Sequence, residues 1–135
     1  MGISDNIEEW VVLIVDDAPD NVEVARKVLS HKGADVHIAA DGEKGMEILH
    51  AIEPTFILLD LSMPVMDGWQ MLERIRQEPT RKDIPVIALT AHAMQGDREK
   101  VFEAGFNGYI AKPFRLKSFL SQIREVLANI NEEKS

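Results

Sequence analysis

The chain contains no cysteine among its 135 residues. Disulfide bridges and thiolate metal sites are therefore excluded, and the composition suits a reducing compartment. Basic side chains are scarce relative to acidic ones, 15 against 23, for a formal charge of −8. A domain that binds nucleic acid normally carries a basic face to neutralise phosphates, so this balance argues against a DNA contact surface. No apolar run approaches the roughly 18 residues a membrane-spanning helix requires. Residues 1–9 also lack the basic start and apolar stretch of a secretion signal. Repeats, linkers and low-complexity tracts are missing too. These absences together lead to the expectation of a cytoplasmic protein with neither membrane insertion nor a nucleic-acid partner.

What is present is the length of one ordinary domain, with hydrophobic and charged fractions of 45% and 28% that suit a single folded core. Five short runs rich in β-branched residues recur: Val11 to Val15, Val36 to Ala39, Phe56 to Leu59, Val86 to Leu89 and the weaker Tyr109 to Ala111. Apolar on both faces rather than alternating, they read as buried strands. Between them lie segments with helical spacing. Val22, Ala25, Val28 and Leu29 share one face, as do Gly45, Ile48, Leu49 and Ile52; Leu72 and Ile75 mark a third, and Met94, Val101 and Ala104 a fourth. The last segment is the most regular, with Leu116, Phe119, Leu120, Ile123, Val126, Leu127 and Ile130 in helical register. Punctuation agrees: Pro19 suits a first helical turn, Gly33 a helix end, and Asp41 before Gly42 a helix cap. Strictly alternating strands and helices imply an α/β fold, a doubly wound five-stranded parallel sheet with helices on both faces. The expected domain is 10–131, with polar tails at 1–9 and 132–135 that fray.

In such a sheet, ligands bind at the carboxyl ends of the strands. The first run ends in Asp16 and Asp17, the third in Asp60, the fourth in Thr90, and the fifth in Lys112 followed by Pro113. Three carboxylates brought together repel one another unless a cation or proton offsets them. All-oxygen ligands without histidine or cysteine favour Mg²⁺ over zinc, with Mn²⁺ able to substitute, and Mg²⁺ commonly works between a few carboxylates and a phosphate. A carboxylate can itself act as nucleophile and become an acyl phosphate, while Lys112 and the metal clamp the charge of the transferring group.

The motifs Ile14-Val15-Asp16-Asp17, Leu58-Leu59-Asp60-Leu61-Ser62-Met63-Pro64-Val65-Met66-Asp67-Gly68, Ala88-Leu89-Thr90-Ala91 and Tyr109-Ile110-Ala111-Lys112-Pro113-Phe114 resemble, in order and spacing, the receiver signatures of two-component signalling. The resemblance extends over about Val11 to Asn129. It implies a flavodoxin-like strand order of 2-1-3-4-5 and a regulator that accepts phosphate without being a turnover enzyme. Asp60 is then the phosphoacceptor, and Asp17 a direct metal ligand. Asp16 acts mostly through water, and the Ser62 backbone carbonyl completes the protein ligands. Lys112 pairs with a phosphoryl oxygen and the Lys112-Pro113 peptide is cis. Thr90 and Tyr109 form the switch, Tyr109 turning inward as Thr90 approaches the phosphoryl group and altering the face made by the fourth helix, fifth strand and fifth helix. The implied partner is a histidine kinase or histidine phosphotransfer protein, docking beside the acceptor at Ala18, Pro19, Asn21, Pro113 and Phe114. The closest subtype is a stand-alone phosphorelay carrier or hybrid-kinase receiver.

Two other readings fit a nucleophilic or phosphate-binding site on this sheet. A phosphatase of the haloacid dehalogenase type needs an acid two residues after its nucleophile, where this chain has Ser62. A nucleotide or flavin module needs a glycine-rich loop after a strand, whereas Asp16-Asp17-Ala18-Pro19 repels phosphate. His92, two residues after Thr90, is placed to tune hydrolysis; with His31, His37 and His50 on unrelated segments it does not suggest a metal site.

Overall fold

The computed structural model describes residues 3–91 and 95–134. Five strands, β1 (Val11–Val15), β2 (Asp35–Ala39), β3 (Phe56–Asp60), β4 (Val86–Thr90) and β5 (Gly108–Ala111), alternate with α1 (Pro19–His31), α2 (Gly42–Ala51), α3 (Gly68–Gln77), α4 (Gln95–Ala104) and α5 (Leu116–Lys134). All pairings are parallel and the sheet order is β2-β1-β3-β4-β5. Order reverses between β1 and β3, so their carboxyl ends flank a crevice.

Each central strand divides its side chains between two cores. Val12 and Ile14, Phe56 and Leu58, Ile87 and Leu89 face α1 and α5, where Ala25, Leu29, Phe119 and Ile123 complete one buried cluster. Leu13 and Val15, Ile57 and Leu59, Val86 and Ala88 face α2, α3 and α4, meeting Leu49, Met71, Leu72, Ile75 and Val101. This two-sided burial explains why β1, β3 and β4 are apolar up to the terminal Asp60 of β3 and Thr90 of β4; each fully buried Leu or Ile contributes about 2 kcal/mol of transfer free energy.

The helix termini follow their sequence signals. Pro19 opens α1 with Ala18 as its cap residue. Asp41 caps α2 by accepting the Lys44 N–H at 2.8 Å, and Asp67 with Gln70 forms a capping box on α3. Gly33 follows α1 at φ 97°, the left-handed conformation in which glycine lacks the Cβ penalty.

Several expectations are corrected. The second strand lies at the sheet edge, where only Ala39 is buried and Ile38 is 38% exposed, because it has a strand neighbour on one side only and the helices cover the edge less completely than the centre. Leu116 is 66% exposed and Ala104 is exposed, since the helical stripe at the first turn of α5 and the last of α4 runs past the sheet. Met94 and His92 lie outside the described residues. The segment 3–9, expected to fray, instead packs onto the domain. Ile7 is buried in the α1/α5 core, the Trp10 indole N–H donates to the Ser4 carbonyl at 2.8 Å, and Asn131 bonds both main-chain groups of Ile3. Helix α5 likewise continues through Glu132 to Lys134. Sparse apolar residues at a terminus suffice when one of them enters a core.

Candidate functional site

Parallel strands all end at the same side of the sheet, and that places the polar strand-end residues together. Asp16 follows β1, Asp60 closes β3, Thr90 closes β4 and Lys112 follows β5. Asp16 and Asp60 are 2% and 4% exposed, while Asp17 is open to solvent. One carboxylate oxygen from each of Asp16, Asp17 and Asp60 lies within 4.8 Å of the others.

Lys112 reaches back across the crevice. Its Nζ lies 3.0 Å from Asp16 Oδ2 and 3.2 Å from Asp60 Oδ1, and donates to Asp16 Oδ1 at 3.2 Å. The Lys112–Pro113 peptide is cis, and the Lys112 N–H donates to the Thr90 carbonyl at 2.8 Å, anchoring the end of β5 to β4. Asp16 Oδ1 also accepts the Ala18 N–H at 2.9 Å. Its Oδ2 is buried without a hydrogen-bond partner among the described residues, ion-paired to Lys112 by distance alone. A buried carboxylate oxygen so placed, beside two further carboxylates, suits a hard cation. The donor set fits Mg²⁺ or Mn²⁺.

Asp60 Oδ1 accepts the Ser62 N–H at 3.2 Å. Burial, with the charge of Asp16 adding to it, raises the Asp60 carboxyl to about 6 despite the opposing pull of Lys112 and the Ser62 N–H. Gly68 permits the turn that follows: a Cβ there would lie 2.3 Å from the Asp60 carbonyl oxygen. A cleft of about 290 Å³ is lined by Asp17, Asp60, Leu61, Ser62, Leu89, Thr90, Ala91 and Lys112.

Of the residues assigned to docking, Pro19 and Pro113 are exposed, and Ala18 and Asn21 half-buried. Phe114 is half-buried too, with its ring 4.8 Å from that of Phe119, so part of it serves the α1/α5 core. Tyr109 pairs in register with Ala88, two residues before Thr90 on the same face of the sheet. Its ring meets Phe102 edge-on, and the Arg98 guanidinium lies over the ring and donates to its hydroxyl. Arg98 carried no sequence signal, because the pairing joins α4 to β5. The role of Gly68 was equally hidden, since it depends on the path of the main chain.

The profile of the response regulator receiver domain matches residues 12–124. An uncharacterised 14.6 kDa protein of Leptolyngbya boryana is 37% identical over 102 residues, covering 76% of this chain and 78% of its own. A DNA-binding dual master transcriptional regulator of Synechocystis is 35% identical over 116 residues; the match takes in 86% of this chain but only 48% of that protein. Among solved structures, the receiver domain of a sensor histidine kinase of Pseudomonas aeruginosa, with a magnesium ion coordinated in its active site cleft, superposes with a TM-score of 0.78 at 34% identity, over 88% of this chain and 98% of that one. With its strand order, its crevice of carboxylates and a matched stretch covering most of its length, the chain belongs to the response regulator receiver domain family, the phosphoacceptor domains of two-component and phosphorelay signalling.

Proposed function

We propose that this receiver takes a phosphoryl group onto Asp60 from a phosphohistidine on a helical partner, a histidine kinase or histidine phosphotransfer protein. The observation that carries the reading is the meeting of three carboxylates within 4.8 Å under a lysine ammonium 3.0 and 3.2 Å from two of them. Oδ1 of Asp60 is engaged by Lys112 and the Ser62 N–H, which leaves Oδ2 as nucleophile. Attack forms the acyl phosphate O–P bond as the P–N bond to histidine breaks, its electron pair remaining on the imidazole. Lys112 then shifts its ammonium from the carboxylates to a phosphoryl oxygen. Asp16, Asp17, Asp60 and the Ser62 carbonyl would hold Mg²⁺, which when bound would supply charge neutralisation for the transferring group. Thr90 lines the cleft and offers its hydroxyl to the phosphoryl group; together with Tyr109 it relays the change to the face formed by α4, β5 and α5.

Binding through Ala18, Pro19, Asn21, Pro113 and Phe114 leaves the cleft open for the incoming histidine. The charge of −8 disfavours a nucleic-acid partner. We further infer a regulator located in the cytoplasm and not turning over a substrate. Incubation with a small phosphodonor and Mg²⁺ should add one phosphoryl mass, located at Asp60, and Asp60→Asn should abolish it. Labelling that persists in that variant, or needs no divalent cation, rejects the assignment.

A further inference from the structure

We propose that Arg98 is a latch on Tyr109, a positioning residue that holds the phenol ring outward and so sets how readily the receiver switches. This rests on the reading of Tyr109 as part of the switch.

Tyr109 sits at a fork. Its strand neighbour Ala88 is small, and the next residue on that face of β4 is Thr90 at the cleft. The route from Tyr109 toward the acceptor therefore runs along the sheet surface. On the other side lies an open groove of about 640 Å³ between α4 and α5, lined in part by Arg98, Phe102, Tyr109 and Val126. In the structure the ring is kept at the groove by three contacts from α4. The Arg98 guanidinium carbon lies 5.0 Å from the ring centroid, its Nε donates to the phenol oxygen, and Phe102 packs edge-on at 6.3 Å. Arg98 thus grips both the face and the polar tip of the same side chain. It is itself exposed, and no ion pair to it is found among the described residues.

A contact made in only one of two ring positions shifts the equilibrium between them by its own free energy. A cation over an exposed aromatic ring corresponds to roughly a two- to fivefold bias. Coupling is reciprocal, so if the inward ring favours the phosphorylated cleft, the latch that opposes it must also oppose phosphorylation. Lysine would replace the planar fork by a point charge and hold less well.

The single tyrosine of the chain allows a direct test. Incorporated 3-fluorotyrosine gives one ¹⁹F resonance, whose solvent exposure is read from its H₂O/D₂O shift and from broadening by a dissolved nitroxide. Removing a side chain that merely covers Tyr109 must expose the ring. Releasing a latch does the reverse: in Arg98→Ala the resonance should become less solvent-sensitive without any phosphodonor, with Arg98→Lys intermediate, and acetyl phosphate with Mg²⁺ should label Asp60 about two- to fivefold faster than in the wild type. A ring in Arg98→Ala as accessible as in the wild type, or more so, overturns the latch whatever the labelling rate. Absence of labelling at Asp60 in the wild type would instead remove the phosphoacceptor reading, while the ring measurement, which needs no donor, still decides the role of Arg98.

Discussion

Burial of Asp60 beside Asp16 makes its ionisation costly, and the cost has a sign that can be followed with pH. The group titrates near 3.8 when unperturbed and about 6 in the fold, so between these values the native state binds more protons than the unfolded chain. Stability from this group is present below the unfolded value and lost as pH rises through the folded one, by on the order of 3 kcal/mol. Denaturant titrations of the metal-free protein should therefore show Asp60→Asn more stable than wild type at neutral pH, the difference shrinking between about pH 6 and 4. A variant less stable at neutral pH would mean that the attraction of Lys112 outweighs desolvation. The identity of the candidate nucleophile was legible in the sequence because a strand-end aspartate in this motif is a local feature. Its raised pKa was not, because that depends on how completely β1, β3 and Lys112 shut out water.

The segment joining β3 to α3 concentrates tension that its neighbours lack. Val65 has φ 67° and is 75% exposed, and the Met66 N–H bonds the Pro64 carbonyl at 2.7 Å, closing a γ-turn around it. A β-branched residue in the left-handed region is strained, and little burial offsets the cost. Val65→Gly should accordingly stabilise the domain by about 1 kcal/mol in urea denaturation; an unchanged midpoint would show that the turn relaxes around valine. Helix α1 makes a different demand. Its first turn borders the cleft with the small Ala18 as cap residue, N–H bonded to Asp16. Ala18→Glu should slow transfer from a phosphorylated histidine phosphotransfer domain at least several-fold while leaving labelling by a small phosphodonor nearly intact. Equal losses in the two assays would place the defect in the chemistry instead of docking.

On the scale of the whole molecule, the ends of β1 and β3 bring three carboxylates to one crevice, and Lys112 from the end of β5 offsets only part of their repulsion. Mg²⁺ that binds only the native state should raise the melting temperature, by the equivalent of about 2.7 kcal/mol at a concentration 100 times its Kd; no shift at saturation would argue against the metal centre. The alternation of apolar runs with amphipathic segments determined the class of fold, and the termini of those runs determined the candidate site, since parallel strands must end on one side. Edge and centre were not distinguished by that rule: β2 was read as a buried run despite its His37, and its Ile38 is exposed. Only the tertiary structure seated Ile7 in the α1/α5 core, joined Ile3 to Asn131, and set Arg98 over Tyr109. Periodicity and strand ends are properties of adjacent residues, and a chain can be read for them one window at a time. Packing between residues 128 positions apart, and the water it displaces, exist only once the helices have closed over the sheet.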